Sequence, residues 1–262
     1  MTATALPPLQ KPPAPPGTRR FLLTISYDGT RYGGWQIQQN AISIQQRLEE
    51  ALHKITGEPV RVTGASRTDA GVHALGQRAH FDTAARIPPD KYPFALNTCL
   101  PRDIRVLECS LVPGDFHARF DARSKCYTYR IYNAPHASAL LGHLCAHVPV
   151  ALSLSAMEQS LPALLGTHDF AAFQAAGGTA KTTVRTIQEA TLTREGPWLT
   201  LHLRGNAFLY NMVRIIAGTL IQVGQGKLPP DVFAAALASG SRLSLGPTGP
   251  AQGLELTRVD YE

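Results

Sequence analysis

Along Phe21-Leu22-Leu23-Thr24-Ile25-Ser26-Tyr27, the residues Phe21, Leu23, Ile25 and Tyr27 fall on one face, at the two-residue period of a β-strand. Asp28-Gly29 punctuates that run as a turn. The period then lengthens. Ile44, Leu48, Ala51, Leu52 and Ile55 recur at three- and four-residue steps, which predicts an amphipathic helix. Ser43 stands where an N-cap belongs, Gln46 completes a capping box, and Gly57 supplies the stop. Strand-like runs at Pro59–Thr63 and Arg78–Phe81, a shorter helix around Asp90–Cys99 and a strand at Ile104–Val112 follow. The predicted order is β-α-β-β-α-β, a ferredoxin-like unit.

The second half repeats the order without visible sequence identity. Tyr127–Tyr132 reads as a strand and Ser155–Leu165 as a helix. Val184–Arg194 and Trp198–Arg204 form a hairpin through Glu195-Gly196-Pro197. Phe208–Val223 reads as a long helix, Asp231–Ala238 as a short extra one, and Leu254–Val259 as a closing strand. The expectation is an α+β protein of two ferredoxin-like β-α-β-β-α-β halves, whose antiparallel sheets join and leave a central cleft. Residues 1–18, with Pro7, Pro8, Pro12, Pro13, Pro15 and Pro16, are expected as a disordered tail. The halves are expected over residues 19–114 and 115–262.

Composition narrows the function classes. A formal net charge of +6 points to an acidic partner, and nucleic acid is the obvious one. Cys99, Cys109, Cys126 and Cys145 are scattered without a C-x-x-C pair, which argues against a zinc knuckle or a disulfide scaffold and fits a reducing cytoplasm. No apolar run approaches the ~20 residues that span a bilayer, so no membrane partner is expected. The Pro-rich start lacks the apolar core of a signal peptide. Gly224-Gln225-Gly226-Lys227 follows a helix and runs into Leu228, so it is not a Walker loop, and no nucleotide cofactor is implied. The histidines show no H-x-x-x-H or H-E-x-x-H spacing, so no metal site is expected. His73 and His80 near Asp69 keep a metal-dependent hydrolase as a rival.

The chemistry concentrates in Ser66-Arg67-Thr68-Asp69-Ala70-Gly71-Val72-His73-Ala74-Leu75. Asp69 lies on a loop between two predicted strands, with Arg67 close enough to hold the carboxylate ionised and Gly71 free to make a tight turn. Taken alone, R-x-D is commonly just an Asx-turn with a solvated ion pair. Tyr127 and Tyr129 share a strand face with Thr128 pointing away. On the Phe208–Val223 helix, Phe208, Met212, Ile215, Thr219 and Val223 form one stripe, and Arg214 falls opposite it with Asn211, Gly218 and Gln225.

The whole string resembles the signature loop of the tRNA pseudouridine synthase A family. Four other segments resemble the same family in the same order. They are Tyr27–Thr30 with Gly33–Gln36, Phe116–Phe120 with Lys125–Tyr129, Phe208–Ile216 with Val223–Lys227, and Gly253–Leu256 with Val259 and Tyr261. Ser66 departs from the glycine that many members carry there, and Cys126 is a second small variation, expected to face away from the site.

The resemblance implies an isomerase that converts tRNA uridine to pseudouridine without cofactor, at nucleotides 38, 39 and 40 of the anticodon stem-loop. It implies a homodimer with one tRNA across both subunits and an RNA-binding cleft. By the same resemblance Asp69 is the catalytic nucleophile, Tyr127 stacks on the flipped uracil, and Arg214 is the counter-ion of Asp69. Arg67 fills the gap left in the RNA stack. Residues alone leave open whether Asp69 attacks sugar or base. A non-catalytic RNA-binding module is the remaining rival, since paired ferredoxin-like units often bind single strands.

Overall fold

The computed structural model describes residues 11–262. Its first strand, β1 (Arg19–Tyr27), buries Phe21, Leu23, Ile25 and Tyr27 as the alternation requires. Helix α1 (Ile44–Thr56) starts at Ser43, whose hydroxyl accepts the Gln46 amide, and stops at Gly57 in the left-handed region (φ 76°). The capping box is only half made. The Gln46 side chain donates from Nε2 to Glu50 at 2.9 Å, an i,i+4 pair along the helix, and among the described residues no hydrogen bond runs from the Ser43 amide back to Gln46 Oε1.

The first half continues with β2 (Val62–Gly64), β3 (His73–Thr83), α2 (Tyr92–Cys99) and β4 (Ile104–Val112). In the second half, β5 (Ser124–Asn133), the hairpin β8 (Val184–Glu195) and β9 (Trp198–Gly205), α5 (Val232–Ser239) and β10 (Leu254–Asp260) follow the predicted pattern closely. Helix α3 (Leu154–Ser160) instead stops short of the predicted Leu165 and tightens into a 3-10 turn at Leu161–Leu164, which contains Pro162. Two short strands, β6 (Ala146–Val148) and β7 (Gly166–Asp169), escape sequence reading because three or four residues carry too little periodicity.

Ten strands make one sheet in the order β4-β1-β3-β10-β5-β9-β8-β7, with β2 added beside β3 and β6 beside β5. All pairings are antiparallel except β3 with β10 and β5 with β6. The two halves therefore join through β10, which lies between β3 and β5. Around that seam one face is apolar: Tyr127, Tyr129 and Ile131 of β5 lie beside Leu199, Leu201 and Leu203 of β9, all buried. The opposite face is polar, with Thr128 3.2 Å from both His202 and Thr257, and Arg130 paired to Glu255 at 3.0 Å. This half-wet arrangement is what an antiparallel sheet with one packed face produces. Cys126 lies on the polar face, away from Tyr127, as expected.

Helix α4 (Met212–Gly224) corrects the sequence reading twice. It begins four residues later than Phe208, because Asn211 adopts φ 60° and breaks the helical path. It also has no broad solvated side, since eleven of its thirteen residues are buried. Gly218 lies against the backbone of Pro247, where any Cβ would collide with the carbonyl.

Of the predicted Pro-rich tail, residues 1–10 fall outside the described part. Residues 11–18 lie along the body instead of standing free. Ala14 donates its amide to Gly114 at 2.8 Å, Arg20 donates to the Pro12 carbonyl at 3.2 Å, and Lys11 pairs with Asp121. Composition registers the prolines but not these anchoring partners.

Candidate active site

The loop from Ala65 to Asp69 links β2 to β3, and almost every residue in it is tied down. Ala65 donates its amide to Arg78 O at 2.7 Å. Ser66 is clamped on both sides by the buried Gln77, which accepts the Ser66 amide at 3.2 Å and donates to the Ser66 carbonyl at 2.8 Å. The Thr68 hydroxyl lies 2.8 Å from the Tyr27 phenol, and the Thr68 carbonyl accepts the Trp35 amide at 3.0 Å. Val72 closes the turn by donating to Asp69 O at 3.1 Å, with Gly71 at φ 77° between them. That is the tight turn Gly71 predicts. Gly34, at φ 98°, comes so close to the Thr68 carbonyl that a side chain there would push the loop away.

Asp69 faces a cleft of about 820 Å³. Its carboxylate lies 3.2 Å from Arg214 Nη1. Arg214 in turn donates from Nε to Gly249 O at 2.9 Å and from Nη1 to Asn211 Oδ1 at 2.8 Å, which fixes the guanidinium plane. Arg214 thus stands against Asp69, the contact that the resemblance implied. Arg67 is not the counter-ion of Asp69. It lines the cleft with its side chain exposed, and no ion pair joins it to Asp69 among the described residues. The expectation that a neighbouring arginine simply keeps Asp69 ionised also needs correcting. Burial pushes its pKa up, and Arg214 opposes that only in part.

Tyr127 reaches the same cleft from β5 and is buried apart from its cleft edge. Its ring meets Phe208 edge-on, 5.0 Å between centroids. Its hydroxyl shares a 2.7 Å hydrogen bond with Ser66 Oγ. Burial raises the phenol to about 12, with the Asp69 charge adding to the effect, so it stays protonated at neutral pH. Tyr129 is fully buried and donates to Pro250 O at 2.9 Å, which makes it a core residue.

Sequence reading missed Gln77, the working role of Ser66, and Lys125. Gln77 is a lone polar residue inside a strand, and only its burial gives it away. Ser66 carried a signal, because it stands where glycine was expected, but its partner lies 61 residues away. The two histidines near Asp69 have structural work. His73 Nδ1 accepts the Gly29 amide at 3.0 Å, and burial lowers its pKa, so its 3.2 Å approach to Asp28 is not an ionic pair. His80 Nδ1 accepts the Ala118 amide at 3.1 Å, and burial lowers its pKa to about 4. Among the described residues no three His, Cys, Asp or Glu side chains gather as a metal site.

A half-buried carboxylate, an arginine fixed against it and a cleft-facing aromatic together suit attack on, and retention of, a planar heterocycle. The family model described as tRNA pseudouridine synthase matches residues 23–121 and 161–262. The chain is 49% identical over 244 residues to tRNA pseudouridine synthase A of Ruminiclostridium cellulolyticum, covering 93% of this chain and all of that one. It is 49% identical to the same-named protein of Acetivibrio thermocellus, at 93% and 100% coverage. With that of Halalkalibacterium halodurans it shares 47% identity, over 90% of each chain.

Proposed function

Because this chain belongs to the tRNA pseudouridine synthase family, we propose that it isomerises uridines 38, 39 and 40 of the tRNA anticodon stem-loop, with Asp69 as the nucleophile. The observation that carries the reading is Asp69 itself, half-withdrawn from water on a clamped loop and set 3.2 Å from a guanidinium. The reaction breaks the N1–C1′ bond, turns the uracil and joins C5 to C1′, and a proton leaves C5 as one is gained at N1. Atoms and electrons balance within the substrate, so no oxidant or group donor is required.

Arg214 holds Asp69 in line and offsets its charge. Tyr127 stacks on the flipped uracil, and its protonated hydroxyl, steadied by Ser66, is available for hydrogen bonding or proton transfer. Arg67, exposed at the cleft mouth, enters the RNA stack where the uridine has left it. The two halves are ferredoxin-like units, a reading supported by the β1-α1-β2-β3-α2-β4 order with β1 between β3 and β4. By resemblance the working unit is a cytoplasmic homodimer with one tRNA across both subunits.

The test is to incubate the protein with unmodified tRNA in excess EDTA and map pseudouridine. Wild type forms product at the three positions despite the chelator. Asp69→Asn keeps the shape and binds tRNA almost normally, yet turnover falls by at least ~10⁴. A variant retaining a tenth of wild-type turnover would remove Asp69 from the role.

A further inference from the structure

Four cations line the cleft beside Asp69 and Tyr127: Arg67, Arg119, Lys125 and Arg185. None forms an ion pair among the described residues. Arg67 and Arg119 are exposed, but Lys125 is buried and Arg185 half-buried, and several cations so placed, such as Arg20, Arg130 and Arg214, have a carboxylate. Lys125 is the unusual member. It sits two residues before Tyr127 on β5, so both project from one sheet face, about 7 Å apart along the strand. Its side chain is more than nine-tenths buried, and its ammonium has a single partner, the Ala65 carbonyl at 2.7 Å. An ammonium carries three donors, so two point elsewhere.

The neighbours make the position costlier. Lys125 lies within the fields of Arg119 and Arg185, and burial together with those charges pushes its pKa down to about 8. Arg119 feels burial and then Arg67, and Arg185 feels burial. Arg185 Nε is buried without a partner, while its Nη1 donates only to Val184 O at 2.6 Å. Arg119 is presented by a turn that His117 ties, its Nδ1 accepting the Arg119 amide at 3.2 Å. Lys125 and Arg185, like charges withdrawn from water with free donors, are unfavourable together unless an anion completes them, and Arg119 stands at the exposed rim of the same cleft.

We propose that Lys125, flanked by Arg119 and Arg185, forms an anion subsite that takes the phosphodiester adjoining the reacting uridine. The inference rests on the proposed RNA substrate and adds the part of the nucleotide each side of the cleft holds. Tyr127 and Asp69 receive the base and sugar. Lys125 receives the backbone charge one strand step away. The site carries no sequence information, since a phosphate is the same at every nucleotide. It fixes the flipped nucleotide along the cleft, which separates it from Arg67, whose place is in the vacated stack.

The experiment couples charge removal on protein and RNA. The substrate is a stem-loop RNA that wild type converts, carrying one neutral methylphosphonate either 5′ or 3′ of the target uridine. The protein variants are Lys125→Met, Arg119→Gln and Arg185→Gln, each checked for folding by thermal melting. Single-turnover rate and RNA affinity are both read. On native RNA, Lys125→Met should lower the product of rate and affinity roughly 10- to 100-fold. One of the two methylphosphonates should cost wild type a similar factor. The decisive result is that this same linkage costs Lys125→Met almost nothing more.

Losses that multiply for both linkages, in Lys125→Met and both arginine variants alike, would overturn the subsite. If Lys125→Met does not fold, the arginine variants decide by the same coupling. If wild type converts no tRNA uridine at all, the functional reading fails first and is recognised as a separate failure.

Discussion

Asp69 and Arg214 show what a single ion pair does when burial opposes it. Burial raises the Asp69 pKa above the ordinary carboxylate value and Arg214 pulls it back. Arg214→Met should therefore raise that pKa further, moving the acid limb of the kcat/KM profile to higher pH. An acid limb that stays in place would show that Arg214 positions the RNA and leaves the carboxylate alone. Tyr127 gives a second prediction. Tyr127→Phe keeps the ring and should bind tRNA nearly as wild type, but it strands Ser66 Oγ and removes the hydroxyl, so turnover falls. Tyr127→Ala should lose about 1–3 kcal/mol of binding as well. If both turn over normally, Tyr127 is part of the core only. At this scale the sequence was informative about Asp69, Tyr127 and Arg214, whose residue types sit in an ordered series of motifs. It was uninformative about Gln77 and Lys125. A buried glutamine and a buried lysine look like surface residues until the strand face they occupy is known.

At the scale of elements, long periodic segments were legible and short or broken ones were not. β1, α1 and β9 follow their hydrophobic periods over eight or more residues. β6 and β7 exist because neighbours pair with them, which no local pattern encodes. The start of α4 was misplaced because Phe208 and Met212 keep helical spacing across a left-handed Asn211. That break has a use, because it turns the Asn211 side chain towards Arg214. Gly218, one turn along α4 from Arg214, lets the Pro247–Gly249 segment close over the helix, and Gly249 both donates to and accepts from Arg214. Gly218→Ala should force that segment outward, costing about 1–3 kcal/mol of stability in denaturant unfolding. Turnover should fall more than tRNA affinity as Arg214 loses its brace. An alanine variant with unchanged stability would mean the segment yields freely.

For the whole molecule, charge and topology set the behaviour. A net charge of +6 and four cleft cations without carboxylate partners predict that tRNA affinity falls about tenfold or more between roughly 50 and 200 mM salt. Arg67→Ala should damage turnover more than affinity, since a residue entering the stack acts chiefly after flipping. Normal turnover at saturating tRNA with a flatter salt slope would make Arg67 a surface phosphate contact. The seam has a different consequence, one of birth order. β10 follows every other strand in the chain, yet it is the one on which both halves close, pairing Glu255 with His73 and Leu256 with Ala74 just beyond the Asp69 turn. A ribosome delivers residues from the amino end, so the His73–Ala74 end of β3, beyond the reach of β2, waits unpaired on that side until β10 is made. Throughout that wait the strand edge beside the Asp69 turn stays open, and Asp69 lacks Arg214, which the second half supplies. The first half alone therefore cannot complete the site, and this edge closes only once β10 has emerged.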